Sequence, residues 1–295
     1  MGPPPFEYVC PTTLDDALAA LQYPDAVIIA GGQSLVPRLN RRLLHPRRVV
    51  DVSRLDELRG LAPGAAAVEL GALVTHTQLL ADAHLHSLPL LAMAAGSIGF
   101  RAVRTRGTLG GSLALAHPAA ELPAAMVAMD ARFRLRGPLG ERWVAAADFF
   151  VGRFETILAE GEIVISAEVP RRPQAELASL LEFRRSAGDY AAAGLAMVGL
   201  AVDGHLADLS IAWFGVSERP IRAAELCEDL EGCALEDKVQ IERACLKAAR
   251  GLDSVSDLRG SAEYRRHLIA RLTYKAVAGL SSTASQSLDD QPTGR

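Results

Sequence analysis

Apolar positions in the first 60 residues follow two different patterns. LDDALAALQ (14–22) carries them at helical spacing, whereas AVIIA (26–30) and RRVVDVSRL (47–55) hold short unbroken apolar runs of the kind a buried strand makes. Between these two runs Ser34 stands where a helix N-cap belongs, with Leu35, Leu39 and Leu43 at i, i+4 and i+8 behind it. Pro37 falls in the first turn, where its missing N–H has no intrahelical partner to lose. The pattern predicts strand, turn, helix, strand.

A second unit begins at AVELGALVT (67–75), read as strand and turn, with Thr75 capping a short helix. A stretch rich in small residues follows, and Pro118 suits the start of a helix over 119–128. ARFRLRGPLGERWV (131–144) alternates apolar and polar through a Gly-Pro turn, the pattern of a hairpin. VISAEVPRRPQAE (164–176) combines prolines and charges and reads as a linker. Beyond it, AAAGLAMVGLAVDGHLADLSIAWFGV (191–216) is two strand-like runs joined at Asp203-Gly204, a pair that tolerates the positive φ of a type I′ turn. Helical spacing then covers about 222–231, 236–250 and 261–280, the last presenting Tyr264, Leu268 and Leu272 on one face, and the polar tail from 282 to 295 predicts disorder.

Composition narrows the class. A chain of 295 residues is long enough for about two domains, and no window approaches the ~18 to 20 unbroken apolar residues of a membrane span. MGPPPFEYVC lacks the basic and apolar regions of a secretory signal, so the expected location is the cytoplasm. Cys10, Cys227, Cys233 and Cys245 lie far from cluster or zinc spacing and predict free thiols and no metal site. A net charge of −4 spread along the chain gives no footprint for nucleic acid. The basic run RLNRRLLHPRR (38–48) reads first as a solvated helix face and second as a contact to an anionic ligand or a partner chain. His84 and His86 lack an obvious third ligand and read as exposed histidines.

The candidate chemistry lies in the glycines. AGGQSL (30–35) and LGGSL (109–113) both set paired glycines and a small hydroxyl residue after an apolar residue. Such pairs let backbone N–H groups turn toward an anion, since no side chain blocks the approach and glycine permits the dihedrals needed. A Gly-Gly turn is also an ordinary conformational device. Neither loop matches G-x-G-x-x-G or the P-loop, and Ser34 and Ser112 lack the closing glycine of a hydrolase elbow.

Longer segments are more specific. AGGQSLVPRLNRRLLHPRRVVDVSRL (30–55) and VRTRGTLGGSLALAHPAAELPAAMVAMDA (103–131) resemble the two signature segments of the FAD-binding medium subunit of molybdenum hydroxylases, the carbon monoxide dehydrogenase and xanthine dehydrogenase family. Three later segments, ERWVAAADFFVGRFETILAEGEIVISAEVP, LEFRRSAGDYAAAG and SAEYRRHLIARLTYKAV, resemble the same family in the same order. The resemblance implies an α+β chain: a two-subdomain FAD domain of the vanillyl-alcohol-oxidase (PCMH) type over 1–175, split near residue 57, then a small α+β domain over 176–281 with a three-stranded antiparallel sheet and helices.

It also implies FAD held between the subdomains, with Ala30, Gly31, Gly32, Gln33 and Ser34 on the pyrophosphate, flanked by Ile29 and Leu35. Thr108, Gly110, Gly111 and Ser112 would follow along the second loop. Glu121 matches the acid that helps bind the nucleotide part, Ile165 a backbone contact beside it, and Tyr190 the aromatic residue near the flavin ring; Ala116 and His117 belong to the same set. His117 stands where the family usually has a carboxylate, and Glu182 where a basic residue is common. The implied work is electron transfer from iron–sulfur clusters through FAD to a terminal acceptor. The implied partners are a large molybdopterin-binding subunit and a small 2Fe–2S subunit, in a dimer of heterotrimers, with the molybdenum cofactor and clusters on those partners. The alternatives within this fold are a self-contained flavin oxidase and a flavin-less nucleotide-binding or assembly protein.

Overall fold

The structure is a computed structural model that describes residues 2–172, 176–186 and 188–289, without the side chains of His84, His86, Glu176 and 281–289. The metal question at His84 and His86 and part of the expected linker, 173–175, therefore lie outside the described residues.

The chain opens with β1 (Glu7–Val9), α1 (Leu14–Leu21), β2 (Ala26–Ile29), α2 (Leu35–Asn40) and β3 (Arg48–Asp51). The three strands form a parallel sheet in the order β1-β3-β2. Strand β1 is too short for an apolar pattern and was not foreseen. Thr13 caps α1 by accepting the Asp16 N–H, and Leu14, Ala17, Leu18 and Leu21 turn into a small core with Val50, Val52 and Ile165. Ser34 is the N-cap of α2, but the helix ends at Asn40. Leu39 is buried as expected; Leu43, beyond the helix end and 64% exposed, is not part of the stripe.

Five antiparallel strands follow in the order β4-β5-β10-β6-β7, formed by β4 (Leu61–Pro63), β5 (Ala67–Gly71), β6 (Arg132–Gly137), β7 (Gly140–Ala145) and β10 (Ile163–Pro170). The β6–β7 hairpin is the one its alternation predicts, with Gly140, the first residue of β7 after the turn, at φ +110°. Between β5 and β6 run α3 (His76–Ala81), α4 (Pro89–Ser97), α5 (Arg101–Arg106), α6 (Leu109–Leu115) and α7 (Glu121–Ala128); α8 (Ala146–Phe149), β8 (Phe150–Gly152) and β9 (Glu155–Thr156) lead into β10. Thr75 closes a capping box with Gln78 at the start of α3. All eight residues of α7 are buried, because it lies between the helical layer and the C-terminal sheet.

That sheet has the order β11-β12-β13-β14, from β11 (Glu176–Phe183), β12 (Ala193–Val202), β13 (His205–Phe214) and the two-residue edge β14 (Ile221–Arg222). Three long strands match the implied three-stranded sheet. Asp203 and Gly204 take φ +49° and +78°, as the type I′ reading requires. Both faces are apolar: Ala196, Val198, Ala212 and Phe214 join the core around α7, while Leu195, Met197, Ile211 and Trp213 pack under α9 (Ala224–Leu230), α10 (Lys238–Gly251) and α11 (Ala262–Asp289).

Two expectations for α11 differ. Its buried face carries Arg265, Ile269, Thr273, Ala276 and Leu280, one position round from Tyr264, Leu268 and Leu272. Arg265 can be buried because it donates to the Gly215 carbonyl and to Asp257, and Thr273 because it accepts from Trp213 Nε1 at 3.1 Å and donates to the Ile269 carbonyl at 2.7 Å. The backbone is helical through Asp289, inside the stretch expected to be disordered. Among the described residues no helix is long and apolar enough to cross a membrane.

Candidate functional site

A cavity of about 620 Å³ opens where the parallel sheet, the helical layer and the C-terminal sheet meet. That is within the usual range for a ligand site. Its walls are the loop after β2, the first turn of α6, Glu121 at the start of α7, the segment entering β10, and Tyr190 from between β11 and β12.

The first loop is glycine for two separate reasons. Gly32 has φ +72°, a conformation other residues adopt only at a cost. Gly31 lies against the other wall, where a Cβ would stand 1.9 Å from the Arg106 carbonyl oxygen. Among the described residues, the main-chain N–H groups of Gly31, Gly32, Gln33 and Ser34 meet no acceptor in the chain. The Ser34 hydroxyl makes no capping bond, and Gln33 Nε2 donates back to the Gly31 carbonyl at 3.3 Å. Consecutive unsatisfied donors at the carboxyl end of a parallel strand form an anion cradle.

The second loop is built differently. Thr108 caps α6, and its Oγ1 accepts the Gly111 N–H at 3.1 Å while its carbonyl accepts Ser112 N–H at 3.0 Å. Gly110 N–H goes to the Ala72 carbonyl at 2.8 Å, and a Cβ there would stand 2.6 Å from Ala72 Cβ. These amides already have partners. What the second loop offers a ligand is a bare glycine surface and the Ser112 side chain.

Behind it sits His76, which the sequence reading passed over. It is 5% exposed, its Nε2 lies 3.2 Å from the Thr108 carbonyl, and its main-chain N–H donates to the Gly107 carbonyl at 3.0 Å. Burial lowers its pKa to about 4, so the ring is neutral at pH 7 and, facing a carbonyl, carries its proton on Nε2. Nothing in the motif marked it.

At the opposite end Glu121 is buried, and burial, aided by nearby Glu182, raises its pKa to about 7. The Glu182 carboxyl is also raised by burial, and it is ion-paired with Arg184 at 3.0 Å without hydrogen-bond geometry. Burial likewise raises the Tyr190 phenol, with Glu121 adding to the effect. On Tyr190 the His117 ring stacks with centroids 3.5 Å apart and an interplanar angle of 8°.

Twelve of the predicted residues line this one cavity: Ala30, Gly31, Gly32, Gln33, Ser34, Leu35, Thr108, Gly110, Gly111, Ser112, Glu121 and Tyr190. Ile29, Ala116, His117 and Ile165 do not. Ile29 ends β2, Ala116 caps α6, and His117 lies behind Tyr190. Ile165 is in the small core and its carbonyl accepts the Ala72 N–H at 3.0 Å; its neighbours Ile163 and Val164 reach the cavity instead. From the basic run, Arg38 reaches the cavity, while Arg47 and Arg48 pair with Asp25 and Glu7. The donor set suits a dinucleotide: an amide cradle for a pyrophosphate, and a carboxyl and an aromatic ring further along the same cavity.

Residues 4–172 match the protein family described as FAD binding domain in molybdopterin dehydrogenase, and residues 178–280 that described as CO dehydrogenase flavoprotein C-terminal domain. The glyceraldehyde dehydrogenase medium chain of Sulfolobus acidocaldarius is 36% identical over 278 residues, covering 94% of this chain and 98% of the relative. The carbon monoxide dehydrogenase medium chain of Hydrogenophaga pseudoflava is 34% identical, covering 94% and 97%. Among solved structures, quinoline 2-oxidoreductase of Pseudomonas putida superposes with a TM-score of 0.91 at 34% identity, covering 96% of this chain and 99% of that one.

Proposed function

Because the chain belongs to the family of FAD-binding medium subunits of molybdenum hydroxylases, an oxidoreductase family, we propose that it is the electron-transfer subunit of such a complex. It would work in the cytoplasm between a large molybdopterin-binding subunit and a small 2Fe–2S subunit, in a dimer of heterotrimers. The division into an FAD unit over 1–175 and a C-terminal unit over 176–281 is part of this reading. The observation that carries it is the convergence on one cavity of Gly31, Gly111, Glu121 and Tyr190, drawn from three segments separate in sequence.

In this reading the free N–H groups of residues 31–34 hold the pyrophosphate, each charge-assisted bond contributing roughly 1.5–3 kcal/mol. The missing side chains of Gly110 and Gly111 face Ala72 and the Thr108 cap, so glycine there lets the first turn of α6 pack close, with Ser112 on the cavity wall. The Glu121 carboxyl, about half protonated near neutrality, can donate to or accept from a nucleotide hydroxyl. Tyr190 walls the flavin end. The bound FAD supplies the redox chemistry, and the chain contributes binding, orientation and exclusion of water. No acid–base or nucleophilic residue is assigned.

The test is purification from the native host. Recovery of a yellow flavoprotein together with a molybdopterin subunit and an iron–sulfur subunit is the expected result. A chain that lacks flavin and takes up none when FAD is added would sink the proposal. Substrate-dependent flavin reduction by the chain alone would favour a self-contained oxidase instead.

A further inference from the structure

His117 does not reach the cavity, yet it is among the most firmly held side chains near it. Its Nδ1 accepts the Ala119 N–H at 3.1 Å, and the Phe154 ring meets its own edge-to-face at 5.2 Å. An Nδ1 that accepts leaves the proton of the neutral ring on Nε2. The turn around it is tied down as well: the Ala116 carbonyl accepts Phe154 N–H at 3.0 Å, the His117 carbonyl accepts Ala120 N–H at 3.0 Å, and the Pro118 carbonyl accepts Gly215 N–H at 2.8 Å. Ala116 and Phe154 both take left-handed conformations, at φ +47° and +60°. Two such residues, linked by a hydrogen bond and flanking one side chain, hold backbone strain, and strain of this kind gathers where function requires a geometry.

What this frame holds in place is a stack. An aromatic ring has two faces, and His117 covers one face of Tyr190 at 3.5 Å, so the cavity can meet only the ring's other face and edge. Arg259 stands farther off, 6.0 Å from the Tyr190 centroid, and is paired with Asp189. Without His117, Tyr190, which is 37% exposed, would be free to change rotamer.

We propose that His117 is a positioning residue for the cofactor: its ring, stacked on the outer face of Tyr190, fixes the plane of the tyrosine that walls the flavin end of the cavity. This rests on the FAD reading above. A carboxylate or amide at 117 could keep the bond to Ala119 N–H but would supply no ring, so the stack and the hydrogen bond can be separated by substitution.

The experiment uses the full complex carrying His117→Ala, His117→Asn or His117→Phe, with Tyr190→Ala and the Tyr190→Ala/His117→Ala pair. FAD affinity and flavin midpoint potential are measured for each, and circular dichroism confirms folding. A stacked pair contributes about 0.5–1.5 kcal/mol beyond its burial, so His117→Ala should weaken FAD binding roughly 2- to 10-fold and shift the potential. The Asn variant should behave like Ala, and the planar Phe variant should recover most of the affinity. On the Tyr190→Ala background, His117→Ala should have no further effect. The proposal is overturned if Asn matches the wild type while Phe does not, or if the two alanine effects multiply independently. A wild-type complex without FAD would overturn the reading beneath it, whereas a fully flavinated wild type with an unchanged Ala variant would overturn this proposal alone.

Discussion

The two Gly-Gly loops look alike as strings, AGGQSL and LGGSL, and are opposites as structures. In the first, one glycine supplies a positive φ, the other admits a backbone carbonyl, and the amides that follow point at no protein acceptor. In the second, the glycines sit in the first turn of a helix, and their amides are tied to Ala72 and Thr108. The second pair is glycine because Ala72 and the Thr108 cap leave no room. Repetition of a motif is thus no guide to repetition of a role. The question to ask of each glycine is where its N–H goes and what its missing side chain would strike.

Substitutions can break this contrast. The largest effect is expected at Gly31→Val, because its Cβ cannot relax away from the Arg106 carbonyl without separating the two walls. Flavin content of the purified complex should fall to near zero, while circular dichroism retains the signal of the C-terminal sheet and helices.

Acidification comes next and acts on the second loop, which is braced by His76. A folded pKa of about 4 lies below the ordinary 6.5, so the unfolded chain takes up the proton first. Stability is therefore full above pH 6.5 and is lost as pH falls toward 4, by on the order of 3 kcal/mol. His117, lowered to about 4 by burial and then by Arg259 and Arg153, adds in the same direction. Glu121, raised to about 7, opposes both: its folded form holds a proton that the unfolded chain has released, so its contribution falls as pH rises from 4.5 to 7. Melting temperature against pH should slope less in His76→Phe and more in Glu121→Gln.

Gly110→Val should cost about 1–3 kcal/mol of stability through overpacking on Ala72. Flavin should be lost only in proportion to unfolding, as a melt with and without added FAD would report. Thr108→Ala, which removes a cap, should cost about 1 kcal/mol in the same assay.

Much of the fold was legible where a local rule decides the structure. The Asp203-Gly204 hairpin, the Thr75 cap and the strand before the first glycine pair follow from turn chemistry, capping and apolar runs within a few residues. The buried face of α11 was misread because Arg265 and Thr273 occupy it, and only their partners at Gly215, Asp257 and Trp213 make that possible. The site was legible as a list of residues, most of which the structure gathers around one cavity. The difference between its two loops was not, because the contacts that define it, Gly31 with Arg106 and Gly110 with Ala72, join residues distant in sequence. His76 was invisible for the same reason.

The contrast is tested most directly by amide hydrogen exchange on the complex with and without FAD. The account predicts that residues 31–34 exchange quickly when FAD is stripped and become protected when it is restored, whereas residues 110–112 exchange slowly in both states. Protection gained at 110–112 with none at 31–34 would contradict it.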